Sequence, residues 1–327
     1  MILLDTRRGR RRHPLIERLG RTRWYNPSMS GRERVFRTEA VILRRQDLGE
    51  ADRLVVAYSP DRGKLRLVAK GARRINSRKA GHLEPFTKAT LLVARGRELH
   101  IITQAEALET FPTLRTDLQR VGQASYVVEL IDRFTLDEGG SRPAYALMLE
   151  ALERLAQGRS ASAVLRYYEL RLLELMGYRP EFFRCVQCSA EVRPEAQFFS
   201  SALGGVLCPQ CGRGHPAARP LSLEALKVLR HFQRSGFEAA AAPDLRQAVR
   251  HEVEEHLEAY LTHLLERRLN SPRFLRQVQA LELRGDRASH PAGDRASHPA
   301  GDRAEHPGGD RASHPAGDPK GEPAPAG

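Results

Sequence analysis

A pair of short cysteine motifs restricts this chain more than any other feature. Cys185 and Cys188 form one CxxC, Cys208 and Cys211 a second, with 19 residues between the pairs and no cysteine left over. A CxxC turn directs two sulfur ligands at one point, and two such turns complete a tetrahedron at a spacing typical of four-cysteine zinc sites. With every position filled by thiolate sulfur there is no place for a water ligand, so the predicted metal is a structural Zn²⁺, not a catalytic one. Disulfides are the competing reading and need an oxidising compartment. The N-terminus "MILLDTRRGRRRHPL" turns arginine-rich after four residues and lacks the apolar segment of a secretory signal, which favours a reduced, cytoplasmic chain.

The hydrophobic period changes along the chain. "VFRTEAVIL", "DRLVVAYS", "KLRLVAK", "KATLLVA" and "ELHIITQ", between residues 35 and 104, are short runs rich in Val, Ile, Leu and Thr, with turn chemistry at "PDRG" and "RGRE". Five strands without intervening helices suit a small closed barrel, and the expected form is the five-stranded oligonucleotide-binding (OB) fold. From residue 115 the period becomes helical. "SYVVELIDRF", "YALMLEALERL", "VLRYYELRLLELMG", "SLEALKVLRHFQRSG" and "DLRQAVRHEVEEHLEAYLTHLLERRL" carry apolar stripes at threes and fours, with Ser222 placed as an N-cap and Gly177 as a C-terminal stop. The expected organisation is α+β and multi-domain. A basic arm covers 1–30, disordered or lying before a true start at Met29. An OB-fold domain covers 31–113, and a helical domain 114–181 and 217–280. A zinc-binding insertion occupies 182–216, and a disordered tail 281–327 repeats "GDRASHPA" with almost nothing to bury. The tail histidines His290, His298, His306 and His314 are assigned no function, and His251, His256 and His263 are read as helix-surface residues. No run approaches the roughly 18 apolar residues of a membrane helix.

The formal net charge is +13, and it is unevenly placed. Residues 1–28 carry +6, residues 29–115 carry +8, and the remainder carries −1. A local excess raises the potential over one surface and favours a polyanion. From Arg62 to Lys79 there are eight cations and no acid: Arg62, Lys64, Arg66, Lys70, Arg73, Arg74, Arg78 and Lys79. Alternation along "KLRLVAK" puts Leu65, Leu67 and Ala69 on one face and Lys64, Arg66 and Lys70 on the other. These eight residues are the candidate nucleic-acid contacts. Phe36, Tyr58 and Phe86 are the barrel's few aromatics, so stacking is expected to matter less than phosphate contact.

Residues 49–112 resemble the N-terminal domain of the bacterial RecO recombination-mediator family. The matching parts are "GEAD" before the second strand, the "GK" after the hairpin, "AKGARR", the following Ser, and "LEPFT"; similarity continues through "LLELMGYRPEF" and the cysteines to "SPRFL". It spans roughly residues 33 to 280 and leaves both ends outside. Some members of that family lack an intact cysteine set, and this chain keeps it. The resemblance implies a non-enzymatic DNA-binding protein of recombinational repair at the nucleoid. It binds single- and double-stranded DNA, anneals strands and helps load RecA, with RecR, onto DNA covered by single-stranded DNA-binding protein, whose acidic tail docks on the helical region. Neither a membrane nor a small-molecule substrate is implied.

Asp47, Glu50 and Asp52 lie close together and could be imagined on Mg²⁺, but they share one loop beside a basic surface, and a phosphoryl-transfer site needs carboxylates converging from several elements. No GxxxxGK[ST] loop occurs, so no ATP turnover is expected. The alternatives to DNA binding are an adaptor whose basic face meets an acidic protein tail, and an RNA-binding barrel with a zinc module.

Overall fold

A computed structural model describes residues 34–97, 99–137, 139–266 and 269–289, with side chains as far as 281. The basic arm at 1–30 and the tail histidines lie outside the described residues. Five strands come first: β1 (Val35–Leu48), β2 (Asp52–Ser59), β3 (Gly63–Ala69), β4 (Lys88–Ala94) and β5 (His100–Glu109). They close into a barrel in the order β1-β2-β3-β5-β4, antiparallel throughout except for the short parallel pairing of β3 with β5. Closure depends on the 14-residue β1, which pairs with β4 from Val35 to Val41 and with β2 from Val41 onward, with a bulge between Ile42 and Arg44 at the change. A 3₁₀ turn at Ala80–Leu83 joins β3 to β4 and places a fully buried Leu83 with Leu67, Leu91 and Ile102 inside the barrel.

The apolar runs in β1 and β2 are continuous because both faces are buried. In "AVIL" (40–43) Ala40 and Ile42 pack inside the barrel, while Val41 and Leu43 join the core of the helical region with Val56 and Tyr58. That region begins after a 3₁₀ turn at Pro112–Arg115 with α1 (Leu118–Phe134), α2 (Arg142–Ala156) and α3 (Ala161–Leu175). Asp117 caps α1 by accepting from the Arg120 N–H, and Gly177, at φ +80°, ends the α3 segment. A three-stranded sheet of β6 (Gln197–Ser200), β7 (Gly205–Leu207) and β8 (Ala218–Leu221), ordered β7-β6-β8, carries the second cysteine pair with the short α4 (Pro209–Gly212). Then follow α5 (Leu223–Arg234), capped by Ser222 as its sequence predicts, α6 (Phe237–Ala241), α7 (Gln247–Leu265) and α8 (Asn270–Ser289).

Two expectations change. His256 is not on the surface of α7: it is 3% exposed, edge-on to Phe199, with Nε2 3.0 Å from the Pro220 carbonyl oxygen. Helical spacing could not reveal this, because the sheet that covers it comes from β6 and β8, which have no periodic signature. The chain also stays helical beyond 281. α8 continues through Gly285 of the first repeat to Ser289 and ends before Pro291.

The barrel is fastened to the helices by polar side chains. The Lys64 ammonium donates to the carbonyl oxygens of Asp132 (2.7 Å) and Thr135 (2.8 Å) at the end of α1, and pairs with the Asp132 carboxylate at 3.2 Å. Tyr145 on α2 donates to Glu39 on β1 at 2.9 Å. Gly63 permits the close approach of the 139–140 segment. A Cβ there would lie 2.7 Å from the Gly139 oxygen, at a φ of +68°.

Within the helices, Glu169 is fully buried, accepts from Tyr126 Oη at 2.5 Å and meets Arg166 Nη2 at 2.7 Å. Burial lifts its carboxyl to about 7, although Arg166 and the Tyr126 hydrogen bond pull the other way. A carboxyl whose folded value lies above its unfolded one gives up stability as pH rises through that interval. Glu169→Gln is therefore expected to remove a fall in urea midpoint that the native chain shows between pH 4.5 and 7, worth up to about 1.4 kcal/mol per pH unit. Identical pH profiles for the two proteins contradict this assignment.

Candidate nucleic-acid interface and metal centre

The basic segment leaves β3 at Lys70 and crosses back over the β1–β2 turn. Gly71 turns with φ +68° and donates its N–H to Asp52 Oδ1 at 2.8 Å. The Arg73 N–H reaches the Ala51 carbonyl oxygen (2.9 Å), its guanidinium reaches the Gly49 carbonyl oxygen (2.7 Å) and pairs with Asp47 (3.4 Å), and the Ser77 N–H closes onto the Arg74 carbonyl oxygen (2.9 Å). The loop is thus laced to the acidic turn beside it. This also occupies two of the three carboxylates of the magnesium reading: Asp47 pairs with Arg53 and Arg73, and Asp52 holds Gly71. Among the described residues they form no metal-ligand cluster.

The eight candidate cations divide. Lys70, Arg74, Arg78 and Lys79, with Asn76, Ser77, Thr103 and Gln104, line an open concavity of about 620 Å³ that has no carboxylate in its wall. Lys79 is tied to the floor through the Ile102 carbonyl oxygen at 3.2 Å, and none of the four has an ion pair among the described residues. The other four are placed differently. The Arg62 guanidinium stacks on Phe36 at 4.0 Å, Arg66 pairs with Asp137 at 3.3 Å, and Arg73 pairs with Asp47. Lys64 departs furthest from the expected cationic face, with its side chain 11% exposed and its charge spent on α1. Its register on β3 was legible, but the helix that covers that side of the strand was not. Thr103 and Gln104 were missed: strict alternation about the buried Ile102 turns only Thr103 outward, and it is the register break opposite Leu92 and Val93 that leaves both exposed on β5. Phe36, Tyr58 and Phe86 are all buried, so the barrel's few aromatics offer no exposed face.

A larger concavity of about 740 Å³ separates the barrel from α1, but its charges are internally matched. Arg44 pairs with Asp132, Arg45 with Glu84 and Arg133 with Glu129, while Arg115 donates to the Pro85 carbonyl oxygen and Thr87 Oγ1. A polyanion entering there would have to displace carboxylates. The concavity at Lys70–Lys79 poses no such obstacle.

The four cysteine sulfurs lie within 4.8 Å of one another, with Cys188 and Cys208 Sγ 3.9 Å apart. A tetrahedral Zn²⁺ at about 2.3 Å from each thiolate has sulfur edges of about 3.8 Å, so the set has the size of that site. Both knuckles are tightened by backbone: the Ser189 N–H donates to the Cys185 carbonyl oxygen and the Gly212 N–H to that of Cys208, each at 2.8 Å. Burial raises the Cys185 thiol, but N–H groups at Cys188, Cys208 and Gln187 outweigh it and bring it down to about 6. The neighbouring sulfurs, Cys208 first, push Cys211 up to about 12. Four thiolates at this separation oppose one another unless a cation stands between them. Phe199, beside the knuckles on β6, packs on Phe182 and Tyr260, which ties this region into the α7 core.

Residues 30–111 match the family model described as recombination protein O N terminal, and residues 115–273 the one described as recombination protein O C terminal. Two curated relatives named DNA repair protein RecO are similar over most of their length. The one from Roseiflexus sp. (strain RS-1) is 45% identical over 250 residues, covering 76% of this chain and 88% of that one. The one from Desulforudis audaxviator (strain MP104C) is 41% identical over 244 residues, covering 74% and 97%.

The sulfur geometry predicts that chelation of the purified chain accelerates amide exchange in residues 182–216 and leaves the barrel amides unchanged. Cys185→Ser is expected to do the same without chelator. Exchange indifferent to both treatments would mean that these cysteines hold no ion.

Proposed function

The chain belongs to the RecO family of recombination proteins, whose members are not enzymes, and from that premise we propose that it is a DNA-binding mediator of recombinational repair. The observation that carries the proposal is the concavity of Lys70, Arg74, Arg78 and Lys79, four cations without ion pairs in a wall without carboxylates. Such a wall lowers the free energy of a phosphate backbone by releasing its condensed counterions, and it reads no sequence. The barrel is of the OB type: its strand order, its parallel β3–β5 closure and the 3₁₀ plug between β3 and β4 support that reading. The domain limits follow as 31–113 for the barrel, 114–181 with 217–280 for the helices, and 182–216 for the cysteine insertion. Cys185, Cys188, Cys208 and Cys211 hold a structural Zn²⁺ that fixes two loops and supplies no chemistry.

By family resemblance the partners are RecR, RecA and single-stranded DNA-binding protein, and the outcome is strand annealing and RecA loading in the cytoplasm, at the nucleoid. No described helix is long and apolar enough to cross a membrane. In the adaptor alternative the same cations meet an acidic protein tail and leave DNA to the partners. Reversing the charges of Arg73, Arg74 and Arg78 discriminates: loss of DNA binding with partner capture retained supports the mediator, and the opposite result supports the adaptor. Competition between matched RNA and DNA strands addresses the RNA-binding alternative.

Fluorescence anisotropy with labelled single strands over a salt series is expected to give a log–log slope of about −2.8 if the four cations each neutralise one phosphate. Arg74→Ala and Arg78→Ala should each flatten it by about 0.7. A slope near zero would overturn the electrostatic mechanism.

A further inference from the structure

We propose that Ile75 is the base-contacting residue beside this groove, an apolar side chain outside its lining that is set to lie against the bases of a single strand whose phosphates occupy Lys70, Arg74, Arg78 and Lys79. The inference rests on the reading of the groove as a DNA site and adds to it the element that electrostatics cannot supply. Ile75 is as exposed as an isoleucine can be, at 103% of its reference area, although the largest apolar side chains around it in the barrel are buried. Its neighbours Arg74 and Asn76 both line the concavity.

Full exposure here is not the accident of a loose loop. The backbone is pinned before Ile75 by Gly71 on Asp52 and by Arg73 on Ala51 and Gly49, and after it by Ser77 on Arg74. A pinned loop has little conformational entropy left to lose, so a ligand that covers Ile75 gains the removal of its apolar area from water without having to order the backbone that carries it.

The chemistry of the ligand follows from the surroundings. A protein partner that buried an isoleucine at this point would also have to cover Arg73, Arg74 and Arg78. A nucleic-acid strand presents an apolar base face beside an anionic backbone and satisfies both demands at once. The usual way to meet a base face is an aromatic platform, and Phe36, Tyr58 and Phe86 are buried. An aliphatic wedge is the known substitute where apolar side chains enter between bases. The contact separates neighbouring bases without reading their edges, which suits a protein that handles strands of any sequence.

The test uses the full chain and two fluorescent oligonucleotides, one carrying 2-aminopurine and one carrying an abasic position. Ile75→Ala is expected to weaken binding to the ordinary strand by about five- to tenfold, to leave the salt slope unchanged and to remove the rise in 2-aminopurine emission that accompanies unstacking. The native chain should prefer the ordinary strand to the abasic one, and the variant should not. Because Ile75 packs against nothing, the thermal midpoint of the variant should match that of the native chain. Equal loss on ordinary and abasic strands, a changed salt slope, or no loss at all would overturn the role of Ile75. Capture of a protein partner that fails in Ile75→Ala while DNA binding is intact would overturn it in favour of a protein contact. Failure of the groove reading is seen separately: there, Arg74→Ala and Arg78→Ala leave affinity and slope as they were.

Discussion

Lys64 lies on β3 with its ammonium at the C-terminal end of α1, donating to two of the helix's last carbonyl oxygens and pairing with the Asp132 carboxylate. A helix end exposes unsatisfied carbonyls and a partial negative charge, and a nearly buried cation satisfies both. Each charge-assisted hydrogen bond of this kind contributes on the order of 1.5–3 kcal/mol, far more than the exposed pairs on the barrel rim. The contact decides which side of the barrel faces the helices. With β3 fixed there, Val41, Leu43, Val56 and Tyr58 on the neighbouring strands pack into the helical core, and the segment after Lys70 is carried to the open side.

That division explains how a run of eight cations without an acid can fold. In sequence the run has only repulsion to offer, but in three dimensions Asp132, Asp137 and Asp47 reach it from α1, from the segment after α1 and from the end of β1. What is left uncompensated is smaller than the run and more localised. Lys70, Arg74, Arg78 and Lys79 gather around one concavity because Asp52 and the backbone at Gly49 and Ala51 hold the loop in shape. The acids near the loop are therefore the frame of the basic surface, not a catalytic site beside it.

The strands were legible because their patterns are local. "DRLVVAYS" and "KATLLVA" begin and end where β2 and β4 do, whereas the burial of "AVIL" on both faces of β1 was not read, because the helices that cover its second face lie far along the chain. The cysteines were legible because metal geometry constrains spacing directly. The destination of each cation was not, since it depends on which helix end or turn lies opposite, and Lys64 is the case in point. His256 was misread for the same reason: nothing in the α7 sequence tells that β6 and β8 will cover it. The three strands of the cysteine region are three or four residues each, too short to show a period.

The buried aromatics carry the last consequence. A barrel that kept Phe36, Tyr58 and Phe86 at its surface would hold single strands by stacking, worth about 1–3 kcal/mol per base and little affected by salt. On the proposed function, turning those rings inward leaves phosphates to the lysine and arginine side chains of the groove, so affinity would depend on counterion release, which competing cations or a partner's basic surface can reverse quickly. The proposed mediator role requires letting go of the strand that is delivered. The rigid elements, the metal-sized sulfur cluster and the Lys64 anchor, all lie away from the groove's lining, so the framework can be stable while the contact it presents stays weak and exchangeable.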